Sequence, residues 1–214
     1  MICSLNEIEA LTRKAARGGG MSWGLAEETG KAVRWLSHYG LPGLGLLAEL
    51  LRRNDGTPYR DLAPERSGEV LRARSGPLCP IIAGALICDR ADDLKEGAAL
   101  RLEEVAVPLL LAPFASEAAR AAGVSVALAW RGMSLILDGG APQIDGDEAA
   151  LHVAKAGSVE LLPADPRTPG VIRTRSGRHV TSETYRTLES FAYRTYAPAT
   201  DASRAGAGAE RESD

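Results

Sequence analysis

The chain has 214 residues, 45% of them hydrophobic and 25% charged, which is enough apolar material for a core and unlike a disordered polymer. Twenty-five basic residues against 28 acidic ones leave a formal charge of -3, which argues against the basic face that nucleic-acid-binding proteins present to phosphates. Only 5% of the residues are aromatic, so packing must rest on Ala, Leu, Val and Ile.

The opening MICSLNEIEAL places Glu7 and Glu9 where a secretory signal would be basic and then apolar. The longest apolar runs, near Pro80 to Cys88 and Val105 to Ala115, fall short of the ~20 residues that cross a bilayer. Cys3, Cys79 and Cys88 are odd in number and lack C-x-x-C spacing, which predicts reduced thiols and no zinc site. A soluble cytoplasmic protein is expected, with neither a membrane nor a nucleic acid as partner.

Ser4 followed by Glu7 is an S-x-x-E capping box, in which the serine oxygen accepts the third helical N–H and the glutamate reaches back to the cap. Leu5, Ile8, Leu11 and Ala15 continue at helical spacing until Gly18-Gly19-Gly20. Ser22 caps a second helix, with Glu27 and Glu28 read into its first turn and Leu25, Ala32 and Leu36 on one stripe, ending near Gly40. Pro42 opens a third, Leu44 to Leu51, closed by the turn Asn54-Asp55-Gly56.

Residues 57–80 are rich in proline and arginine and read as a connection, while Ile81 to Cys88 is ambiguous between helix and strand. From Ala99 the period approaches two. The predicted strands are Leu100 to Val105, Val107 to Leu111, Val124 to Trp130, Met133 to Leu137, Ala150 to Ala154 and Val159 to Leu162, with a short helix at Ser116 to Ala122. Val171 to Arg175 and Arg178 to Val180 flank Ser176-Gly177 as a tight hairpin. Thr181 then caps a last helix, Ser182 to Thr195, ended by Pro198, and residues 197–214 read as a flexible tail. Helices first and strands afterwards predict an α+β fold. Its parts are an N-terminal helical unit (1–56) and an α+β body (57–196) packed with it as one domain, with a mainly antiparallel central sheet and a C-terminal helix.

Ser4 to Leu36, the segment around Leu78 to Pro80 and the close RTYAPATDASRAGAGA (Arg194 to Ala209) together resemble an uncharacterised bacterial domain-of-unknown-function family. That resemblance implies no activity. Members of the family continue past the G-A-G-A run, where this chain turns to ERESD. The first 50 residues, with Ser37-His38 followed by Gly40-Leu41, also resemble the N-terminal helical region of the nicotinamide-dependent malate/lactate dehydrogenases that lack a Rossmann fold. Ala118 to Leu128 is similar to their A-R-x-x-G-V-x-x-V segment. A histidine-bearing sequence follows there in that family and supplies the acid, whereas this chain has Trp130-Arg131-Gly132, so the resemblance implies a fold whose chemistry has gone.

Few other motifs stand in the chain. Gly43-x-Gly45-x-x-Ala48 has the letters of a dinucleotide fingerprint but no strand before it, and Asp145, Asp147 and Glu148 lack the spacing of a calcium loop. No nucleophile elbow, zinc-hydrolase or P-loop pattern occurs, so catalytic residues are not identified and no metal or cofactor is expected.

Charge is more telling. Residues 89–118 hold seven acids against three bases, whereas 167–204 hold seven arginines. In an extended strand Arg173 and Arg175 share a face, the Ser176-Gly177 turn brings Arg178 across from them, and Thr181 opens a helix whose first turn carries free N–H groups near Arg186. Arg173, Arg175, Arg178, Thr181 and Arg186 are therefore the candidate site for a small anionic molecule, unless these arginines pair with the acidic segment instead. A binding or accessory protein is expected ahead of an enzyme, the alternative being an enzyme or degenerate enzyme distantly related to the non-Rossmann dehydrogenases.

Overall fold

The computed structural model describes residues 1–67, 70–165 and 179–196. The capping box at Ser4 is formed: Ser4 Oγ accepts from Glu7 N at 3.2 Å and Glu7 Oε2 accepts from Ser4 N at 2.7 Å. It starts α1 (Leu5–Gly18), capped at its far end by Gly19. Ser22 Oγ accepts from Leu25 N and starts α2 (Trp23–His38); Pro42 stands at the N-cap of α3 (Gly43–Asn54) and not inside its first turn. One expectation fails here, because Glu27 and Glu28 lie beyond the first turn of α2, whose opening turn holds no acid. Leu44, Leu47, Leu50 and Leu51 of α3 are buried on one stripe, each worth on the order of 1.5–3 kcal/mol of transfer free energy.

Residues 57–80 are more structured than a connection. They hold α4 (Tyr59–Leu62) and an antiparallel hairpin, β1 (Pro64–Ser67) with β2 (Val70–Ala73). Strands of four residues with charged side chains and no clear alternation leave little periodic signal. The ambiguous apolar run is a helix, α5 (Pro80–Asp89), with Pro80 in its first turn, followed by the short α6 (Ala91–Lys95) and then β3 (Leu100–Ala106).

Val107 to Leu111 is the clearest departure from the expected strands. Val107 takes the left-handed conformation (φ 43°), donates its N–H to Ala154 O at 3.1 Å, and leads into a 3-10 turn at Pro108–Leu111 and then α7 (Ala112–Ala122). Val107, Leu109, Leu110 and Leu111 have no exposed surface. A run buried on every side shows no period, so pattern alone cannot separate strand from helix.

β4 (Val126–Trp130), β5 (Met133–Leu137), β6 (Gln143–Gly146) and β7 (Lys155–Pro163) follow, and the expected strand at Ala150 to Ala154 is replaced by a 3-10 turn at Glu148–His152. Among the described residues the strands form one sheet in the order β1-β2-β3-β7-β4-β5-β6, antiparallel except for β2 beside β3. Alternate residues of β4 and β5 are buried: Val126, Leu128, Trp130, Met133, Leu135 and Leu137. α7 lies against these two strands, so one face of the sheet meets the helical layer. The last helix, α8 (Ser182–Tyr193), is capped by Thr181 and ends before Pro198; it packs on α1 and α3. The architecture is α+β, as the segregation of elements predicts. The hairpin expected at Val171 to Val180 and the tail at 197–214 lie outside the described residues, apart from His179 and Val180.

Candidate functional site

The N-terminus of α8 holds the described members of the expected anion site. Chain pairing sets its position: Ile2 bridges His179, Met1 N donates to Val180 O at 2.8 Å, and Val180 N donates to Met1 O at 3.0 Å. Thr181 Oγ1 accepts from Thr184 N at 3.1 Å, which satisfies the third N–H of the helix and leaves those of Ser182 and Glu183 without intrahelical acceptors. Arg186 folds back along its own helix, Nε donating to Ser182 O at 3.1 Å, so its guanidinium stands beside that first turn. Thr181 and Arg186 are therefore brought together, both exposed. Arg173, Arg175 and Arg178 lie outside the described residues.

A further cation stands at this end of the helix that sequence spacing does not reveal. Arg52 of α3 donates from Nη2 to Thr187 Oγ1 at 2.5 Å and to Glu183 Oε1 at 3.3 Å. It is 131 residues from Glu183, and only the docking of α3 on α8 unites them. The opposing acid is Glu183 in the first turn of α8.

Among the described residues the acidic segment pairs with neither Arg186 nor Arg194. Four of its seven carboxylates pair with other bases: Asp93 with Arg90, Glu103 with Arg101, Glu104 with Lys155 and Glu117 with Arg120. Arg194 turns instead to Asp55, in a two-pronged contact of 2.6 and 3.0 Å that holds the Asp55 carboxyl below its usual range.

Other candidates read as structural. Cys79 is buried at the N-cap of α5, and burial pushes its thiol up, an effect reduced by the N–H groups of Ile82 and Ile81 and by the Asn54 side chain. Cys88 is pushed up to about 11 by burial and by Glu117, Glu28 and Asp89. Among the described residues no group of three or more His, Cys, Asp or Glu side chains could hold a metal, and Asp145 lies on the edge strand β6. Ser37 is buried with its hydroxyl unpartnered, while its neighbour His38 is exposed and packs edge-on against Tyr39 at 4.7 Å between ring centroids. Trp130 is a buried anchor whose Nε1 donates to Ala150 O at 3.0 Å. No helix among the described residues is long and apolar enough to cross a membrane.

This α+β fold has counterparts. Residues 3–79 match the family described as "Protein of unknown function (DUF3726)", which bears out the resemblance to an uncharacterised family over the helices α1 to α3 and the segment reaching Cys79. No curated protein matches the chain. Among solved structures, a dehydrogenase from Sinorhizobium meliloti is similar at 13% identity and a TM-score of 0.54, over 90% of this chain and 99% of that one. A malate dehydrogenase from Entamoeba histolytica has 11% identity and a TM-score of 0.40, over 68% of this chain and 48% of its own. At 13% identity the first comparison shows a common fold and nothing of activity.

Proposed function

We propose that the protein binds a small anionic molecule, a carboxylate or phosphate, at the N-terminus of α8, and acts as a binding or accessory protein. The observation that supports this reading is Arg186 folded over the first turn that Thr181 caps, with two helix N–H groups left without intrahelical acceptors. Arg178 is three residues before Thr181, so chain length alone keeps its Cα within about 11 Å of that residue. Arg173 and Arg175 complete the set that the sequence nominates. Convergence of guanidinium groups without an anion would be repulsive, and planar forks suit bidentate oxygen acceptors.

The test is calorimetric titration with inorganic phosphate and a panel of small organic acids. Replacing Arg173 and Arg175 together by Gln, and separately Arg186→Gln, is expected to weaken the bound anion by about tenfold or more, the scale of one charge-assisted hydrogen bond, with little change in melting temperature. Unchanged affinity, or no binding by any anion, sinks the reading. A loss of stability without loss of binding would assign the arginines to internal ion pairs.

A second reading is favoured by the fold shared with the Sinorhizobium meliloti dehydrogenase: a degenerate enzyme on a dehydrogenase scaffold. The residues present do not fit nicotinamide chemistry of the resembled kind, since the segment that follows the resembling Ala118 to Leu128 reads Trp130-Arg131-Gly132 and carries no histidine. Thermal-shift titration with NADH and NADPH separates the two readings: a saturable shift with either would favour a surviving enzyme, and none is expected.

A further inference from the structure

α1 and α8 run side by side in the same direction, because Ile2 and His179 pair just ahead of both helices and Gly18 meets Phe191 near both far ends. Between them lies a cleft of about 290 Å³. Its α1 wall carries Glu7 and Lys14, seven residues or about 10 Å of helix apart, with Ala10 between them. Its α8 wall carries Tyr185, Glu189 and Tyr193 at successive four-residue steps, and Tyr196 continues the stripe. Ala10 and Ala192 supply little side-chain volume, which is why the two helices leave a space here.

The charges in this cleft do not answer one another. Glu189 is partly buried, and its carboxylate has no hydrogen bond or ion pair among the described residues. Lys14 donates from Nζ to the Tyr196 hydroxyl at 3.2 Å and stands 5.5 Å from that ring's centroid, with no carboxylate partner among the described residues. Glu7 keeps one oxygen on Ser4 N. Tyr193 and Tyr196 are 63% and 57% exposed, their rings 5.7 Å apart. Two carboxylates, one ammonium and a bank of tyrosine faces thus share one concave surface. A lone organic cation would meet Lys14 and a lone anion would meet Glu7 and Glu189, each with like-charge repulsion. A dipolar molecule answers both signs.

We infer that the cleft between α1 and α8 binds a small zwitterion of the amino-acid class. Its ammonium is held by Glu189, its carboxylate by Lys14, and its body lies against Tyr185 and Tyr193. This site is separate from the N-terminus of α8 and does not rest on the anion reading.

The test is titration of the full chain, by calorimetry and by NMR, with the protein amino acids and with linear ω-amino acids. At least one is expected to bind with Kd below about 1 mM, and its decarboxylated amine and its deaminated acid are each expected to bind about tenfold more weakly or worse. Glu189→Gln and Lys14→Gln should each weaken it about tenfold, while Lys95→Gln in α6, outside the cleft, leaves it unchanged. Glu189→Gln removes no hydrogen bond or ion pair among the described residues and Lys14→Gln only the exposed contact with Tyr196, so both variants should melt close to the parent. The inference is overturned if no zwitterion binds below about 1 mM, if the amine alone binds as tightly as its zwitterion, or if both cleft variants keep full affinity.

Discussion

Ser4 is exposed and touches no core, yet it satisfies one helix N–H with its side chain and receives Glu7 on its own. Ser4→Ala is expected to lower stability by about 1 kcal/mol, read from urea melts of the two proteins; an indistinguishable midpoint would mean that the first turn is frayed. Glu7 has a carboxyl held below its ordinary range by the Ser4 N–H and then by the Ser4 hydroxyl, and Asp55 is held low by Arg194. For a depressed carboxyl the stabilisation is present above the unfolded value near ~4 and is lost as pH falls through the folded one. Between pH 7 and pH 3 the melting temperature should therefore fall less steeply in Asp55→Asn than in the parent. The thiols carry a third expectation. Cys79 is fully buried and its thiol is raised, chiefly by burial, so a thiol-reactive dye at pH 8 should label it only as fast as the native protein opens, after the half-buried Cys88.

At the scale of elements, α1 and α8 approach closely at Gly18. A Cβ added to Gly18 would lie 1.8 Å from Phe191 O and 2.7 Å from the same carbonyl carbon, so backbone and not a flexible side chain blocks it. Gly18→Ala is expected to destabilise by about 1–3 kcal/mol and to disturb the cleft lined by both helices; unchanged urea midpoints would show that α8 can step away freely. Gly84 plays the same part between α5 and α7, where an added Cβ would come within 2.4 Å of the Phe114 ring. Neither glycine has a positive φ, so space and not backbone freedom requires them.

Across the molecule, α8 packs on α1 and α3 of the helical unit. Leu188, Phe191 and Ala192 are buried from α8, while its ion pairs Arg194–Asp55 and Arg52–Glu183 are exposed and add little. We propose on this ground that residues 1–56 and the α+β body unfold as one domain. Urea transitions followed by far-ultraviolet circular dichroism and by tryptophan fluorescence should coincide, since Trp23 and Trp35 report the helical unit and Trp130 the sheet. Two separated midpoints would mean two folding units.

The helical unit was legible in the sequence because its signals are local: Ser4, Ser22 and the glycines after α1 act within one turn of chain. Strands β4 and β5 were legible for a similar reason, since one wet face and one dry face impose alternation. Only tertiary structure decided Val107 to Leu111, whose complete burial erases any period, and the parallel seat of β2 beside β3, which no local residue specifies. The same holds for the sites. Thr181 announces itself as a cap, but Arg52 reaches α8, and Glu7 and Lys14 come to face Glu189, through the docking of helices remote in sequence. Chemistry within a turn is written along the chain; chemistry between α1, α3 and α8 exists only once their apolar faces have packed.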